Sequence, residues 1–425
     1  MNLKISGRFL TAGIMLLGII RSHAENSQAV FEPSGFASIE AGQIVKGSYD
    51  QTEFTHTWLQ KAIAHFGLQA ALNERVSVNF DVECWMTYSS PQLLSLYAGS
   101  EPRFRIKSLP QQSFLLDRAE GVYTAGSRDR ALVQIGVGYF PFKYDPDAKN
   151  LGEYLFRSGT YPGYLSTVFD FPMSRLLGLR ISGDLFSWLH QDLLLTSEAE
   201  MYPLQDYSLT YIVSGKAGSV LEAGGGISFA RLWPVNAHAT TPDTMNAIVV
   251  NGDTTGYYTF RGIKLMALIS FDPKALFVSD VFGKNDLRLY SEAAVLGVKN
   301  YPVYYNDLLQ RLPVMMGFNV PAFKLLDVLS LEVEWYDSRY PDSYYNEYIM
   351  RIPQPVMPPD ANYAHNDWKW TVYAKKTFAG HVCLIGQAAN DHIRTLTLDP
   401  LKQDREETLV KPGHWYYMVK TQFSF

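Results

Sequence analysis

Apolar and polar residues alternate with a period of two along most of the chain. In the last twelve residues, HWYYMVKTQFSF, every second residue falls on one face of an extended strand: Trp415, Tyr417, Val419, Thr421, Phe423 and Phe425. The segment around Leu331 repeats the pattern, with Glu332 and Glu334 on the opposite face. A period of two marks a β-strand whose two faces meet different environments. Because helical spacing is nowhere as regular, the pattern predicts an all-β chain.

The connections between these strands alternate between short and long. Seven shorter connections are predicted at 73–75, 126–129, 184–190, 215–219, 272–286, 320–327 and 378–381. Eight longer loops are predicted at 46–56, 89–113, 141–175, 202–207, 231–256, 299–311, 337–367 and 391–413. This layout predicts a transmembrane antiparallel β-barrel of about 16 strands, with 14 or 18 as alternatives, short periplasmic turns and long extracellular loops.

The first 24 residues have the layout of a cleaved export signal. Lys4 and Arg8 precede an apolar run, Phe9–Ile20, that is shorter than the roughly 20 residues of a membrane-spanning helix. Small residues then lead to a predicted cleavage site after Ala24. Residues 25–425 are predicted to form a single barrel domain.

Composition favours a barrel over a soluble domain. Aromatic residues make up 14% of the chain, and charged residues make up 19%, against about 25% in soluble domains. The net charge is −5, and loss of the cationic signal makes the mature chain more negative, which argues against a nucleic-acid partner. Two cysteines, Cys84 and Cys383, are too few for a disulfide framework, and we expect no bridge between them.

If the apolar faces of the strands meet lipid, the opposite faces line the lumen. Charged residues at these positions would be prohibitive in a dry core but are natural in a water-filled channel. The predicted lumen wall carries Lys61, His65, Asp81, Glu83, Arg118, Glu120, Arg130, Arg180, Glu198, Glu200, Glu222, Lys264, Arg288, Glu292, Glu332, Glu334, Lys369, Lys375 and Lys420. The alternative is a lumen filled by paired charges, but wall side chains alone do not close a barrel of about 16 strands.

The end of the chain resembles the C-terminal signal of bacterial outer-membrane proteins, in which the last strand alternates apolar residues and ends in phenylalanine. The residues that carry the resemblance are Tyr417, Val419, Phe423 and Phe425. It implies recognition by the barrel-assembly machinery and a place among the lipids of a Gram-negative outer membrane. The strand layout resembles that of the 16-stranded porins, which often form homotrimers.

The third outer loop, 141–175, is among the longest. In the porin family the third loop folds inward and narrows the channel. The resemblance therefore implies that charged residues in the first half of this loop form the constriction: Lys143, Asp145, Asp147, Lys149, Glu153 and Arg157. Since both signs are present, strong ion selectivity is not predicted. The alternative is a surface lid whose charges are solvated.

Three functions stay open at this point. The favoured one is a porin that lets ions and small hydrophilic solutes diffuse passively. A transporter of hydrophobic solutes, similar to the fatty-acid transporters, would need an apolar N-terminal plug, and residues 25–35 are too few for one. A surface-displayed adhesin or enzyme would carry its function in loops 337–367 or 391–413.

Catalytic and metal-binding motifs are missing from the sequence, which contains no HExxH, CxxC or GxSxG. Asp391 and His392 are adjacent, but two neighbouring loop residues are weak evidence for a hydrolase site. The glycine run Gly224–Gly226 precedes no Lys-Ser/Thr pair, so it is interpreted as relief of crowding within a strand. No enzyme activity, cofactor or metal site is predicted.

Overall fold

The structure is a computed structural model that places most of the barrel wall and parts of the loops. The described residues are 29–49, 52–53, 55–89, 111–127, 130–158, 165, 167, 169, 173–199, 204–235, 247–257, 259–277, 279–298, 307–337, 367–393 and 409–425. The predicted export signal, residues 1–24, lies outside this set and stays a prediction.

Sixteen strands form one closed antiparallel barrel. In chain order they are β1 (Val30–Lys46), β2 (Thr57–Ala71), β3 (Val76–Ser89), β4 (Gln111–Ser127), β5 (Arg130–Phe142), β6 (Ser174–Phe186), β7 (Leu189–Ser197), β8 (Tyr207–Ala217), β9 (Leu221–Trp233), β10 (Gly262–Phe271), β11 (Leu289–Val295), β12 (Val314–Asn319), β13 (Val328–Trp335), β14 (Trp368–Phe378), β15 (Val382–Asn390) and β16 (Trp415–Ser424). Each strand pairs with its neighbours in sequence, and β1 pairs with β16 to close the wall. The predicted fold class is confirmed.

Short and long connections alternate around the barrel as the sequence predicts. The seven shorter ones span 72–75, 128–129, 187–188, 218–220, 272–288, 320–327 and 379–381. The turn predicted at 184–190 is tighter than expected, because β6 and β7 extend into it and Phe186 stacks on Trp188 at 5.7 Å. Small hairpins lie in two of the outer loops: Ser48–Tyr49 with Thr52–Glu53, and Ala247–Val250 with Asp253–Tyr257.

The two faces of the wall differ in chemistry. In β13, Leu331 and Val333 point outward and are exposed, whereas Glu332 and Glu334 point inward and are buried. Exposed apolar side chains recur on the outside of other strands, among them Ile39, Phe66, Met316 and Val419. Such an apolar circumference matches the hydrocarbon core of a membrane. The alternation in the sequence therefore records a wall with lipid outside and polar groups inside.

The last residue takes part in closing the barrel. Gly35 and Phe425 exchange two backbone hydrogen bonds, of 3.2 and 3.0 Å. The Phe425 side chain is 74% exposed on the outer surface. Cys84 and Cys383 are both free thiols.

Helical structure in the described residues is limited to single turns: α1 (Tyr154–Arg157) and the 3-10 turns Pro273–Leu276 and Leu309–Arg311. None of these helices has the length and apolar character needed to cross a membrane.

Candidate functional site

The first half of the third outer loop, residues 143–158, turns into the barrel and packs against the inner wall. Its apolar side chains include Ala148, Leu151 and Leu155, all at most 3% exposed. They form one buried cluster with wall residues from several strands: Phe140, Leu194, Ile212, Met266 and Met315. Full burial of a large apolar side chain contributes about 1.5–3 kcal/mol. The loop thus carries a small hydrophobic core to one side of the lumen.

The glycine run in β9 provides space for this core. A Cβ on Gly226 would lie 2.9 Å from Cδ1 of Leu155 and 3.2 Å from Cε of Met266. Any larger residue would push the loop away from the wall. The sequence predicted crowding at the glycine run, and this contact shows that the crowding comes from Leu155 of the loop.

The wall glutamate Glu332 accepts hydrogen bonds from three successive backbone amides of the loop. These amides belong to Lys149, Asn150 and Leu151, and the last two lie 2.9 and 2.8 Å from Oε2. The Tyr290 hydroxyl donates to the same carboxylate at 2.8 Å. A buried carboxylate needs several donors to offset its desolvation, and the loop backbone supplies them. Glu332 is therefore the main anchor of the loop's first turn.

A second wall glutamate, Glu292, holds the start of α1. It accepts from the backbone amides of Glu153 and Tyr154 at 2.7 and 2.9 Å, and from the Tyr144 hydroxyl at 2.6 Å. A third, Glu334, accepts from the Tyr154 hydroxyl at 2.8 Å. Unpaired backbone amides at the start of a helical turn favour a negative group, and Glu292 supplies one to α1.

The outer loop after β15 also contacts the third loop. Asn150 donates to the Asp391 carboxylate at 2.5 Å, and the Tyr416 hydroxyl donates to it at 2.8 Å. His392 Nε2 lies 2.6 Å from the Glu334 carboxylate. Asp391 and His392, weak candidates for a hydrolase site in the sequence, here hold one loop against another.

The three carboxylates of the loop are buried and do not line the lumen cavity, and Asp147 contacts the wall. Glu153 accepts the backbone amide of Asp145 at 2.5 Å. Asp147 pairs with Arg288 at 2.7 Å and accepts from the Ser270 hydroxyl at 2.5 Å. Burial, with the neighbouring Asp147 charge, raises the pKa of Asp145 to about 6. Burial and the facing Glu292 carboxylate raise the pKa of Glu153 well above its ordinary value.

The three cations of the loop line a cavity of about 1000 Å³: Lys143, Lys149 and Arg157. The Lys143 ammonium donates to the Ala148 carbonyl at 2.6 Å, and the Lys149 ammonium donates to the Pro146 carbonyl at 2.9 Å. Burial lowers the pKa of both lysines from the ordinary amine value. The six residues predicted for a constriction therefore lie on one inward loop but face in two directions.

The opposite side of the cavity is a network of ion pairs on β2, β3, β4 and β6. Arg175 forms ion pairs with Asp117 and with Glu83, the latter at 3.7 Å. His65 Nε2 lies 3.4 Å from Asp117, and the His65 ring stacks on Phe36 at 4.8 Å. Unlike the anchor glutamates, these groups retain partial contact with water, with side-chain exposures of 10–34%.

Asp117 is a lumen residue that strict alternation misses. A β-bulge in β4 pairs Asp81 with Arg118 and Val82 with Leu116, so Asp117 is the extra residue. A bulge lets two successive side chains turn to the same face. Two adjacent charged residues after the apolar run Phe114–Leu116 break the period of two, and that break was the available signal.

The other predicted wall residues fall into three groups. Arg118 and Arg180 bind the buried Glu120 at 2.6 and 3.3 Å. Two further ion pairs line the lumen: Glu198 with Arg231 at 3.4 Å, and Lys420 with Glu40 at 3.6 Å. Three residues lie on the inner face but are covered, at most 2% exposed: Glu332 and Glu334 by the third loop, and Lys369 by the outer loop after β15, where it donates to the Asp391 and Leu409 carbonyls. Glu200 and the Arg130 side chain lie outside the described residues.

A metal would have to compete with arginines at the one described cluster with suitable donors. His65, Asp81 and Asp117 bring potential ligand atoms within 4.8 Å of one another. Arg175 already binds Asp117, and Arg118 is the register partner of Asp81. The cluster therefore already contains the positive charge that its carboxylates require.

Comparison with known proteins gives similarity in fold. No protein-family model and no curated protein sequence matches the chain. Among solved structures it is similar to OmpF of Salmonella typhi in complex with daunomycin, at 10% identity over 93% of this chain and 97% of that one, with a TM-score of 0.48. It is also similar to a triple mutant of the Rhodopseudomonas blastica porin, at 10% identity over 93% and 100%, with a TM-score of 0.44. Its closed barrel of 16 strands is established by its own strand pairing, and its function is inferred from its own lumen.

Proposed function

We propose that this protein is an outer-membrane porin through which ions and small hydrophilic solutes diffuse passively. The observation that carries the proposal is the cavity of about 1000 Å³, which runs past the inward loop and is lined largely by charged and hydroxyl side chains. Sixteen strands enclose more space than their own side chains fill. Water and small polar solutes fit such a lumen better than lipid-like ones do.

The inward segment of the third outer loop, residues 143–158, sets the size limit in this proposal. It occupies one side of the lumen and is held by carboxylates, hydroxyls and apolar contacts together. A loop fixed at that many points presents a narrow passage of constant shape. Solutes wider than the remaining gap would be excluded by sterics alone.

The hydrophobic-solute alternative has less support. Val30–Lys46 forms a strand of the wall and so is not available as an N-terminal plug. The groups along the cavity include Lys143, Asp117 and Arg175, whose charges would have to be desolvated by an apolar solute.

Planar-bilayer recording of the refolded mature protein tests the proposal, together with swelling of proteoliposomes in sugars of increasing size. We expect stepwise open channels and a sharp size limit. Replacing residues 145–156 by a short Gly-Ser linker should raise both the unit conductance and the size limit. Replacing residues 247–257, in another outer loop, is the matched control and should change neither. A folded barrel that never conducts would refute the diffusion channel.

We also propose that the C-terminal strand is the assembly signal, with Phe425 as its main element. Phe425 is 74% exposed, so Phe425→Ala removes little packing from the folded barrel. A large loss of assembled protein in cells would then reflect lost recognition rather than lost stability. Ser424→Ala, on the inward face, is the control. Outer-membrane fractionation of the same cells tests the location, and native mass spectrometry tests whether three copies associate.

A further inference from the structure

The charges of the inward loop are sorted by sign, and the same sorting extends along the cavity. Among the described residues that line it, nine are lysine or arginine and four are aspartate or glutamate. The whole chain has a net charge of −5, so the cavity is opposite in sign to the protein that forms it. Resting on the proposed diffusion channel, we infer that the pore favours small anions, such as chloride and short carboxylates, over cations of the same size.

Three of the four carboxylates along the cavity form ion pairs with neighbouring cations. Asp117 and Glu83 share Arg175, and Glu83 also lies 4.0 Å from Lys61. Glu198 pairs with Arg231. A carboxylate already paired with a guanidinium offers little attraction to a passing cation. These three negative groups therefore contribute weakly to the field along the path.

Two cations of the loop donate to neutral acceptors. Lys143 and Lys149 each donate to a backbone carbonyl of their own loop. A carbonyl satisfies the hydrogen-bonding need of an ammonium without cancelling its charge. These two positive charges act on solutes in the cavity.

The positive lining continues toward the short-turn side of the barrel. Lys375 and Lys420 are both register partners of Ile385, one on each side of it, and both line the cavity. Part of the Lys420 charge is offset by Glu40. An anion that passes the loop therefore meets further positively charged side chains along the wall. Several weak binding sites of the same sign in series favour conduction of that ion.

The anchor glutamates behind the loop oppose this field but act from a greater distance. Glu292 and Glu332 are fully buried and each accepts backbone amides of the loop. The amide dipoles point their positive ends at these carboxylates and partly cancel them. The loop lies between them and the cavity, whereas the lysines line it directly, and a Coulomb interaction weakens with distance.

The test is the reversal potential of the wild-type channel in a planar bilayer with a tenfold KCl gradient. A potential displaced toward the chloride equilibrium potential, with an anion-to-cation permeability ratio above one, is the expected result. Replacing chloride by the large anion gluconate should lower the current more than replacing potassium by a cation as large as gluconate. A potential displaced toward potassium would overturn the anion preference.

Charge-removing variants assign the preference to the loop. Lys143→Gln combined with Lys149→Gln should lower the permeability ratio by about a factor of two or more, since two nearby charges are removed from the path. Lys284→Gln, on an exposed turn outside the cavity, is the matched control and should leave the ratio unchanged. An unchanged ratio in the double variant would overturn the role of the loop lysines. Lys375→Gln, on the wall strand β14, should also lower the permeability ratio, and it tests the contribution of the wall without altering the loop.

The outcomes for the two proposals are separable. Absence of any conductance by a folded barrel would contradict the diffusion channel itself. Conductance with a preference for potassium would leave the diffusion channel standing and contradict only the preference for anions.

Discussion

The two sides of the lumen use the same residue type for different purposes. On one side, Glu332 is fully buried and accepts three backbone amides of the loop. On the other, Glu83 keeps 10% of its side chain exposed and pairs with Lys61 and Arg175. Both glutamates point inward from a wall strand. What separates an anchor from a channel-lining charge is whether the loop covers it.

This difference has an electrostatic origin. A carboxylate that loses all contact with water needs hydrogen bonds from fixed donors to offset its desolvation. Removing one of these donors then lowers the stability by several kcal/mol. A carboxylate that keeps some contact with water is partly screened, so the loss of one ion-pair partner costs less. The covered side should therefore control the position of the loop, and the open side should control the field in the channel.

The largest expected effect comes from Glu332→Gln. A neutral amide keeps one acceptor oxygen and turns an NH₂ donor toward amides of the loop, so charge-assisted bonds of about 1.5–3 kcal/mol each are lost. We expect amide hydrogen exchange at residues 149–151 to accelerate at least about tenfold, since 1.4 kcal/mol corresponds to a factor of ten. The unit conductance should become larger and noisier.

Glu83→Gln is the matched comparison for Glu332→Gln. It removes the same charge from the open side, so it should leave exchange at residues 149–151 unchanged and shift only the ion preference. Equal effects of the two variants on loop exchange would contradict the division between anchoring and lining glutamates.

The sequence was sufficient to predict the wall but not this division. Alternation and turn residues placed the seven shorter connections and the number of strands, because each strand records its own two faces locally. The alternation predicted both Glu332 and Glu83 as lumen residues. It could not separate them, because nothing in the pattern of β13 or β3 shows which wall residues a distant loop will cover. Asp117 was missed for a related reason, since the bulge interrupts the period.

The sign sorting of the loop was also beyond the sequence. Lys143, Asp145 and Asp147 alternate along the chain, so they belong to one mixed group in a sequence reading. Only a contact with the wall, the ion pair of Asp147 with Arg288, shows that the Asp147 carboxylate points away from the cavity. Long-range contacts of this kind leave no local pattern.

The next effect in size is expected for Gly152→Ala, on the covered side. Gly152 has φ +86°, and an added Cβ would lie 2.7 Å from Cε of Met315 and 3.0 Å from Oε2 of Glu292. The left-handed backbone alone costs about 1–2 kcal/mol for a residue with a Cβ, and the contacts add to it. Conductance and loop exchange should both increase.

Gly218→Ala separates these two causes. Gly218 also has a positive φ, at +64°, but has no atom within 4 Å of an added Cβ and lies in a turn. It should lower the thermal stability of the barrel slightly without changing the channel. A change in unit conductance for Gly218→Ala would mean that the conductance reports general destabilisation and not the position of the loop.

A smaller effect is expected for Tyr416→Phe. The Tyr416 hydroxyl donates to Asp391 at 2.8 Å and accepts from Gln387 at 2.7 Å, so its removal costs about 1 kcal/mol. Loop exchange at Asn150, which shares Asp391, should accelerate about fivefold. Tyr417→Phe, on the outward face of the same strand, should leave that exchange unaltered. If both variants loosen Asn150 equally, Asp391 is not a specific anchor.

The smallest effect is a dependence of loop stability on pH, confined to the covered side. Burial raises the pKa of Asp145 to about 6, and burial together with Glu292 raises the pKa of Glu153. A carboxyl whose folded-state pKa is raised binds its proton more tightly in the folded state, so stability is gained as the pH falls through the folded pKa and lost as it rises.

As the pH falls from 7.5 to 5.5, protonation of Asp145 should stabilise the placed loop by roughly 1 kcal/mol. Hydrogen exchange of residues 144–155, corrected for the intrinsic pH dependence of exchange, should therefore slow by a few-fold. A loop that loosens on acidification would mean that the ionised carboxylates hold it and that their protonation removes a needed acceptor.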